Sequence, residues 1–192
     1  MQFDFIVIGS GLAGLTSALT LAKFGKVLLL TKGKISDGST SWAQGGIACV
    51  NSRNDSVKSH VEDTMKAGVF HNDRGTVEFL AKHAASAISW LEGQGVIFDK
   101  QQSGEFASGL EGGHSFPRII HATDFTGKIV ENTLVKKVRK QKYITVMEKT
   151  IAVDLLVAGG ECRGVEVIQN GKIKNLYARA IVLATGGLGN LY

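Results

Sequence analysis

Two short apolar runs near the start of the chain, Phe3–Ile8 and Val27–Leu30, bracket the glycine sequence G-S-G-L-A-G at positions 9–14. No other stretch limits the possible folds as strongly. A continuous apolar run that stops at glycine reads as a strand buried on both faces of a parallel sheet. Gly9, Gly11 and Gly14 have the spacing G-x-G-x-x-G. In that spacing the first glycine permits a tight turn, the second lets a pyrophosphate approach the backbone, and the third lets helix and strand pack closely. Leu15, Ala18, Leu19 and Ala22 then recur at helical spacing, and Gly25 is suited to end the helix. A strand, a glycine turn, a helix and a second strand form the opening of a dinucleotide-binding unit, whose helix N-terminus attracts phosphate.

One position departs from that pattern. The end of the second strand normally carries an acid for a ribose hydroxyl, and here Thr31 and Lys32 stand there. A cation in that place suits NADP, or a flavoprotein with different ribose contacts; a solvated strand end is the plainer reading of Lys32.

The 192 residues, 44% of them hydrophobic, suffice for a proper core. Lysine plus arginine exceeds aspartate plus glutamate by 22 to 17, which fits anionic ligands but lacks the basic runs of a nucleic-acid binder. The cluster Lys136, Lys137, Arg139 and Lys140 falls where a helix should end and complements its dipole. Cys49 and Cys162 lie far apart without a C-x-x-C pair, so neither a metal site nor a redox dithiol is expected, and a reducing, cytoplasmic setting is the simplest inference. No apolar stretch approaches the roughly 20 residues of a membrane span, and Phe3–Ile8 is too short for a signal sequence.

The segment 33–50, GKISDGSTSWAQGGIACV, is rich in glycine and serine and has no clear period. Loops of this length inside compact domains are usually functional. Ser39, Thr40, Gln44, Gly45 and Gly46 offer hydroxyl, amide and unobstructed backbone groups suited to phosphate oxygens and to the polar edge of a flavin ring.

GSGLAG, followed by TKG and then GSTSWAQGGIA, resembles the amino-terminal part of the L-aspartate oxidases, within the succinate dehydrogenase and fumarate reductase flavoprotein superfamily. The resemblance implies an α/β fold: a Rossmann-like FAD/NAD(P)-binding domain of glutathione-reductase type, whose parallel sheet carries an antiparallel β insert at about 142–178. It implies FAD contacts from Gly9, Ser10, Gly11, Leu12, Ala13 and Gly14, from Lys32, and from Ser39, Thr40, Ser41, Trp42, Ala43, Gln44, Gly45 and Gly46. The dehydrogenase branch carries its flavin covalently on a histidine in this loop. Ser39 stands in its place and no histidine occurs between Gly33 and Val50, so FAD is expected to be bound non-covalently.

Two helical stretches follow. Val57, Val61 and Met65 share a face behind Asp55 and Ser56, with Gly68 as the stop. Val77, Leu80, Ala81, Ala84, Ile88 and Leu91 keep the same period after Asp73, ending near Gly93. His60, His71 and His83 show no shared ligand spacing. Val96–Phe98 is a short strand candidate. Beyond it Glu111, Gly112, Gly113, His114, Arg118 and His121 gather ionisable and flexible residues before a helix that Asp124 or Thr126 could cap and whose buried face is Ile129, Val130, Thr133, Leu134 and Val138. This block resembles the E-G-G-H-S and H-A-x-D-x-T-G segments of the same family, with Thr123 at a usually small position. Glu111 reads either as an exposed loop acid or, by the resemblance, as the carboxylate that holds a substrate α-ammonium and so selects aspartate over succinate. His121 is a second catalytic candidate.

From Tyr143 the pattern turns to period two: Ile144, Val146 and Glu148, then Val153–Val157, a turn at GGECRG, Val165–Ile168, and Ile173–Tyr177 after Asn170-Gly171, a strong hairpin signal. By resemblance Ile151 and Ala152 approach the adenine. Ala180–Thr185 returns as a buried strand, and its turn, Thr185, Gly186 and Gly187, lies beside FAD in the family. In that family the substrate-capping and C-terminal domains, with the catalytic arginine, lie further on, so residues 1–192 are expected to be the first portion of the FAD-binding domain and to be inactive alone. The implied activity is oxidation of L-aspartate to iminoaspartate with oxygen or fumarate as acceptor, feeding quinolinate synthase in NAD biosynthesis. The runner-up is a fumarate reductase or succinate dehydrogenase-like flavoprotein. A flavin-dependent RNA-modifying protein and a bare dinucleotide-binding module are alternatives of another class: the lack of basic-aromatic patches argues against the first, the loop at 33–50 against the second.

Overall fold

The structure, a computed structural model, describes residues 2–187. In chain order its elements begin with β1 (Phe5–Ile8), α1 (Leu12–Leu21), β2 (Val27–Leu30), a 3-10 turn (Ser39–Trp42) and β3 (Ile47–Ala48). Next come α2 (Val57–Ala67), α3 (Arg74–Gln94), β4 (Ser108–Gly109), β5 (Ile119–Ile120) and α4 (Thr126–Lys140). Then follow β6 (Ile144–Met147), β7 (Thr150–Ala158), β8 (Glu161–Gln169), β9 (Lys172–Tyr177) and β10 (Ala180–Leu183). The chain forms two units, residues 43–130 and the segments on either side of them.

The flanking segments build a four-stranded sheet in the order β10-β1-β2-β6, with every pair parallel. Ile6, Val7 and all four residues of β2 are buried, as the unbroken apolar runs require of strands covered on both faces. A second sheet, β7-β8-β9, is antiparallel. Its Val165 and Val167 pack with Ile6, Ile8, Leu28 and Leu30 in one core. The β8–β9 hairpin turns at Asn170 (φ 52°) and Gly171 (φ 70°), both in the left-handed conformation that a two-residue primed turn demands.

Several local expectations are corrected. Helix α1 ends at Leu21, before Gly25, where the Ala22 amide donates back to Ala18. Gly25 instead makes room for the Asp4 carboxylate, whose Oδ2 accepts from the Lys26 amide at 2.8 Å. Ile144–Met147 belongs to the parallel sheet and pairs with β2. It is an edge strand, and an edge strand half open to solvent shows the same alternation as an antiparallel one. GGECRG is not a turn throughout: only Gly159 and Gly160 turn (φ 61° and 78°), and Glu161 already opens β8. Val96–Phe98 is irregular, although Val96 and Phe98 are buried. Three apolar residues cannot separate a strand from a buried connection.

The unit of residues 43–130 is built on α2 packed against α3, with Val61, Met65, Val77 and Ala81 in the interface. Ser56 Oγ accepts from the Ser59 amide and Asp73 Oδ1 from the Thr76 amide, so both helices start at the caps their sequences offer. Helix α3 ends at Gly95, which has φ 99°. The short strands β3, β5 and β4 form a small antiparallel sheet beside them. Leu80, expected on the buried face of α3, is exposed.

Candidate functional site

The three motif glycines of the turn between β1 and α1 differ in what their surroundings demand. Gly9 has φ 110°, and a Cβ there would strike the Ala184 carbonyl oxygen after β10; a Cβ on Gly14 would strike the Gly9 carbonyl oxygen. Packing alone explains both. At Gly11 the backbone is ordinary (φ −68°), and a Cβ would meet only Thr40 Oγ1, at 3.5 Å. The protein itself does not require glycine there, so the bare backbone is available to something else. Helix α1 begins at the next residue, and its first-turn amides have no acceptor within the helix. The Leu12 amide donates to Thr40 Oγ1 at 3.0 Å. Those of Ala13 and Gly14 lie at the positive end of the helix dipole. This is a cradle that fits a pyrophosphate.

At the end of β2 the Ser10 hydroxyl donates to Thr31 Oγ1 at 3.1 Å, while Lys32 is exposed. The Thr150 amide donates to the Thr31 carbonyl at 3.0 Å and the Lys149 amide to the Gly33 carbonyl at 3.0 Å. These bonds bring Ile151 and Ala152, the next residues of β7, to the same edge as Lys32. Ala152 packs on the core while Ile151 is exposed. Thr185, Gly186 and Gly187 follow directly on the Ala184 backbone that closes over Gly9. These contacts tie four stretches together: the glycine turn to Ala184 and, through Ser10, to Thr31, and Thr31 in turn to Thr150. Ser39, Thr40, Ser41 and Trp42 form the 3-10 turn, whose Thr40 caps α1.

Ala43, Gln44, Gly45 and Gly46 belong to the other unit, where Glu111 and His121 also lie. Glu111 Oε1 and His121 Nε2 are 3.1 Å apart and hydrogen-bonded. A Cβ on Gly45 would come within 4.0 Å of Glu111 Oε2, and one on Gly109 within 3.2 Å of His121 Cε1. His121 lines an open cavity of about 510 Å³ together with Gln44, Asp99, Ser108, Thr123 and Asp124. Carboxylates, a ring nitrogen, hydroxyls and an amide converge there, as suits a small polar substrate.

The loop bearing Glu111 is anchored by a buried ion network that the sequence reading did not assemble. Arg118 is fully buried and donates through Nε and Nη2 to both oxygens of Asp55, at 2.9 and 2.7 Å, and through Nη1 to Asp63 Oδ2 at 2.8 Å. Asp63 also accepts from the Ser115 amide and hydroxyl, at 2.8 and 2.7 Å. Burial pushes the Asp63 carboxyl up, but the Ser115 hydrogen bonds and the Arg118 guanidinium outweigh it and hold the pKa below its ordinary value. Residues 115–118 are thereby clamped to α2 and its preceding turn. His60, nearby on α2, has its pKa lowered, chiefly by burial and then by the charge of Arg118. No cluster of three or more potential metal ligands occurs among the described residues.

Glu131, on α4, also escaped the sequence reading. It is 1% exposed, and its Oε1 is buried without a hydrogen-bond partner. Its signal was present: Glu131, Leu134 and Val138 follow i, i+3, i+7, so an acid occupies a core position of an amphipathic helix.

The sequence pattern of the FAD binding domain family matches residues 4–192. The chain belongs to that family: it is a flavoprotein domain that binds FAD. It is 43% identical over 202 residues to L-aspartate oxidase 1 of Ralstonia nicotianae, covering 100% of this chain and 38% of the relative. It is 45% identical over 202 residues to L-aspartate oxidase of Yersinia pestis, covering 98% of this chain and again 38% of the relative. Among solved structures, an Escherichia coli quinol fumarate reductase variant superposes with TM-score 0.93 at 28% identity, over 100% of this chain and 34% of that one. The Mycobacterium smegmatis Sdh1 complex in the apo form gives 0.91 at 31% identity, over 99% and 35%. The chain thus spans little more than a third of the length of these relatives. No helix among the described residues is long and apolar enough to cross a membrane.

Proposed function

We propose that this chain is the first portion of the FAD-binding domain of an L-aspartate oxidase, which converts L-aspartate to iminoaspartate with oxygen or fumarate as acceptor. In this reading the reaction opens NAD biosynthesis in the cytoplasm and quinolinate synthase consumes its product. The observation that carries it is the Glu111 carboxylate, hydrogen-bonded to His121 at 3.1 Å beside the polar cavity. A carboxylate at a dicarboxylate site repels succinate and attracts an α-ammonium, so it favours aspartate. The identities of 43 and 45% to L-aspartate oxidases, against 28 and 31% to the fumarate reductase and Sdh1 structures, support the same choice.

Bound FAD would supply the two-electron acceptor for the α-hydrogen and its electron pair. The residues of the chain do the rest of the work assigned here. Glu111 accepts hydrogen bonds from the α-ammonium, which loses a proton to solvent water as the imine forms; His121 holds Glu111 in place. The Ala13 and Gly14 amides would hold the pyrophosphate, the Leu12 amide being taken by Thr40, and Ser39 would leave the flavin without a covalent link.

Glu111→Gln in the full-length protein tests this. It keeps the size and removes the charge, so kcat/KM for aspartate should fall roughly 30-fold to 1000-fold, as for the loss of a charge-assisted contact to the substrate. Fumarate reduction should be spared or improved. Equal losses on both substrates would make Glu111 a structural residue, and unchanged rates on both an exposed loop acid. A wild-type enzyme that oxidises succinate faster than aspartate would replace the reading with a fumarate reductase-like one.

A further inference from the structure

The glycine turn, the 3-10 turn and helix α4 converge at one point. A Cβ on Gly38 would lie 2.7 Å from Glu131 Oε1 and 3.4 Å from Gly11 Cα. Gly38 is therefore lodged between the carboxyl of Glu131 and the backbone that forms the cradle. From Gly38 the chain enters the 3-10 turn, fastened by the Ser41 hydroxyl and amide, which both point back to the Gly38 carbonyl, at 2.9 and 3.3 Å. Two residues after Gly38, Thr40 caps the Leu12 amide. A displacement of Gly38 is thus carried to the first turn of α1.

We propose that Glu131 is a positioning residue for FAD: its buried carboxyl backs Gly38, sets how closely the 38–41 segment sits on the glycine turn, and so keeps Thr40 on the Leu12 amide at the floor of the pyrophosphate cradle. The inference rests on the assignment of FAD to that turn. A buried acid with an unpaired oxygen is costly and needs a reason. Filling space against a glycine that cannot bear a Cβ supplies one. The charge is not what the position needs. Burial raises the Glu131 pKa; the Ser41 hydroxyl works against this, and the carboxylate of Asp37 adds to it. The role is one of shape, which glutamine reproduces.

The test is a set of variants read by FAD dissociation constant (flavin fluorescence quenching), by amide exchange at Leu12 and by the melting temperature of the apoprotein. Glu131→Gln should bind FAD within about threefold of wild type. Glu131→Ala should weaken FAD by about tenfold and speed Leu12 exchange, a coupling of ordinary size for residues in contact. Gly38→Ala should do the same from the other side, because its Cβ meets Oε1. Combining the two should recover most of the loss, since the added methyl enters the space the carboxyl leaves. Gly38→Ala keeps the buried group, so it remains informative if Glu131→Ala does not fold. Unchanged affinity in both single variants, or additive losses in the double one, would overturn the inference. If instead Gly11→Val retains full FAD affinity, the cofactor does not sit at this turn and the underlying assignment falls; loss in Gly11→Val with no effect at Glu131 sinks only the role of Glu131.

Discussion

At Gly14 a Cβ would run into the Gly9 carbonyl oxygen, whereas at Gly11 it would meet one hydroxyl oxygen at 3.5 Å. The two positions should therefore fail differently. Gly14→Ala forces the helix away from the turn, an overpacking cost of about 3 kcal/mol, and should lower the melting temperature of the apoprotein and FAD affinity together. Gly11→Val should leave the stability of the apoprotein within about 1 kcal/mol of wild type, as expected of a substitution that meets no core atom, and abolish FAD binding. An unstable Gly11→Val apoprotein would mean that packing, not the ligand, holds Gly11. The motif spacing made all three glycines legible in the sequence, but not the division of labour among them, because that depends on where the Ala184 backbone returns. Glu131, Asp63 and Arg118 were harder to read for a related reason. A charged residue is expected at the surface; only partners distant in sequence reveal that Asp63 and Arg118 are buried, whereas Glu131 is marked by its place on the apolar face of α4.

Helix α2 and the segment after Glu111 are joined chiefly through Arg118. Arg118→Leu would leave two buried carboxylates facing each other without their cation, which typically costs about 3–5 kcal/mol. The same network predicts acid sensitivity. The Asp63 carboxyl titrates lower in the folded protein than in the unfolded chain, so its contribution is fully present above the unfolded value, about 3.9. It is lost as pH falls from there through the folded pKa. Urea midpoints measured from pH 6 downward should fall more steeply below about pH 4 in the wild type than in Asp63→Asn, which has no proton to take up; parallel curves would remove Asp63 from the acid response. At this scale the sequence was most legible where local physics decides the outcome. Ser56 and Asp73 start their helices, and Asn170-Gly171 turns its hairpin. It was least legible for β6, whose alternation reflects an edge position, and for Val96–Phe98, whose burial needs no strand.

The parallel sheet closes only when β10 pairs beside β1, Phe5 with Ala180 and Ile8 with Leu183, after the antiparallel sheet and the whole of residues 43–130 have intervened. The fold class could be read from the buried runs and the glycine turn, since both are local. The strand order could not, because it is fixed by pairings between residues far apart in the chain. In the proposed reading the grip on FAD is spread over the first turn of α1, the Thr31 edge and the backbone after β10, and no histidine occurs at 33–50 to form a histidyl bond. Such a grip depends on the fold and should vanish with it. FAD should therefore stabilise the protein by mass action, by about 2.7 kcal/mol at 100 times its dissociation constant, and the melting temperature should rise with added FAD. Acid precipitation should leave a colourless pellet, with all the flavin in the supernatant. Yellow fluorescence that stays with the denatured chain on a gel would mean that another side chain carries the flavin covalently, and Ser39 would then not mark a non-covalent site.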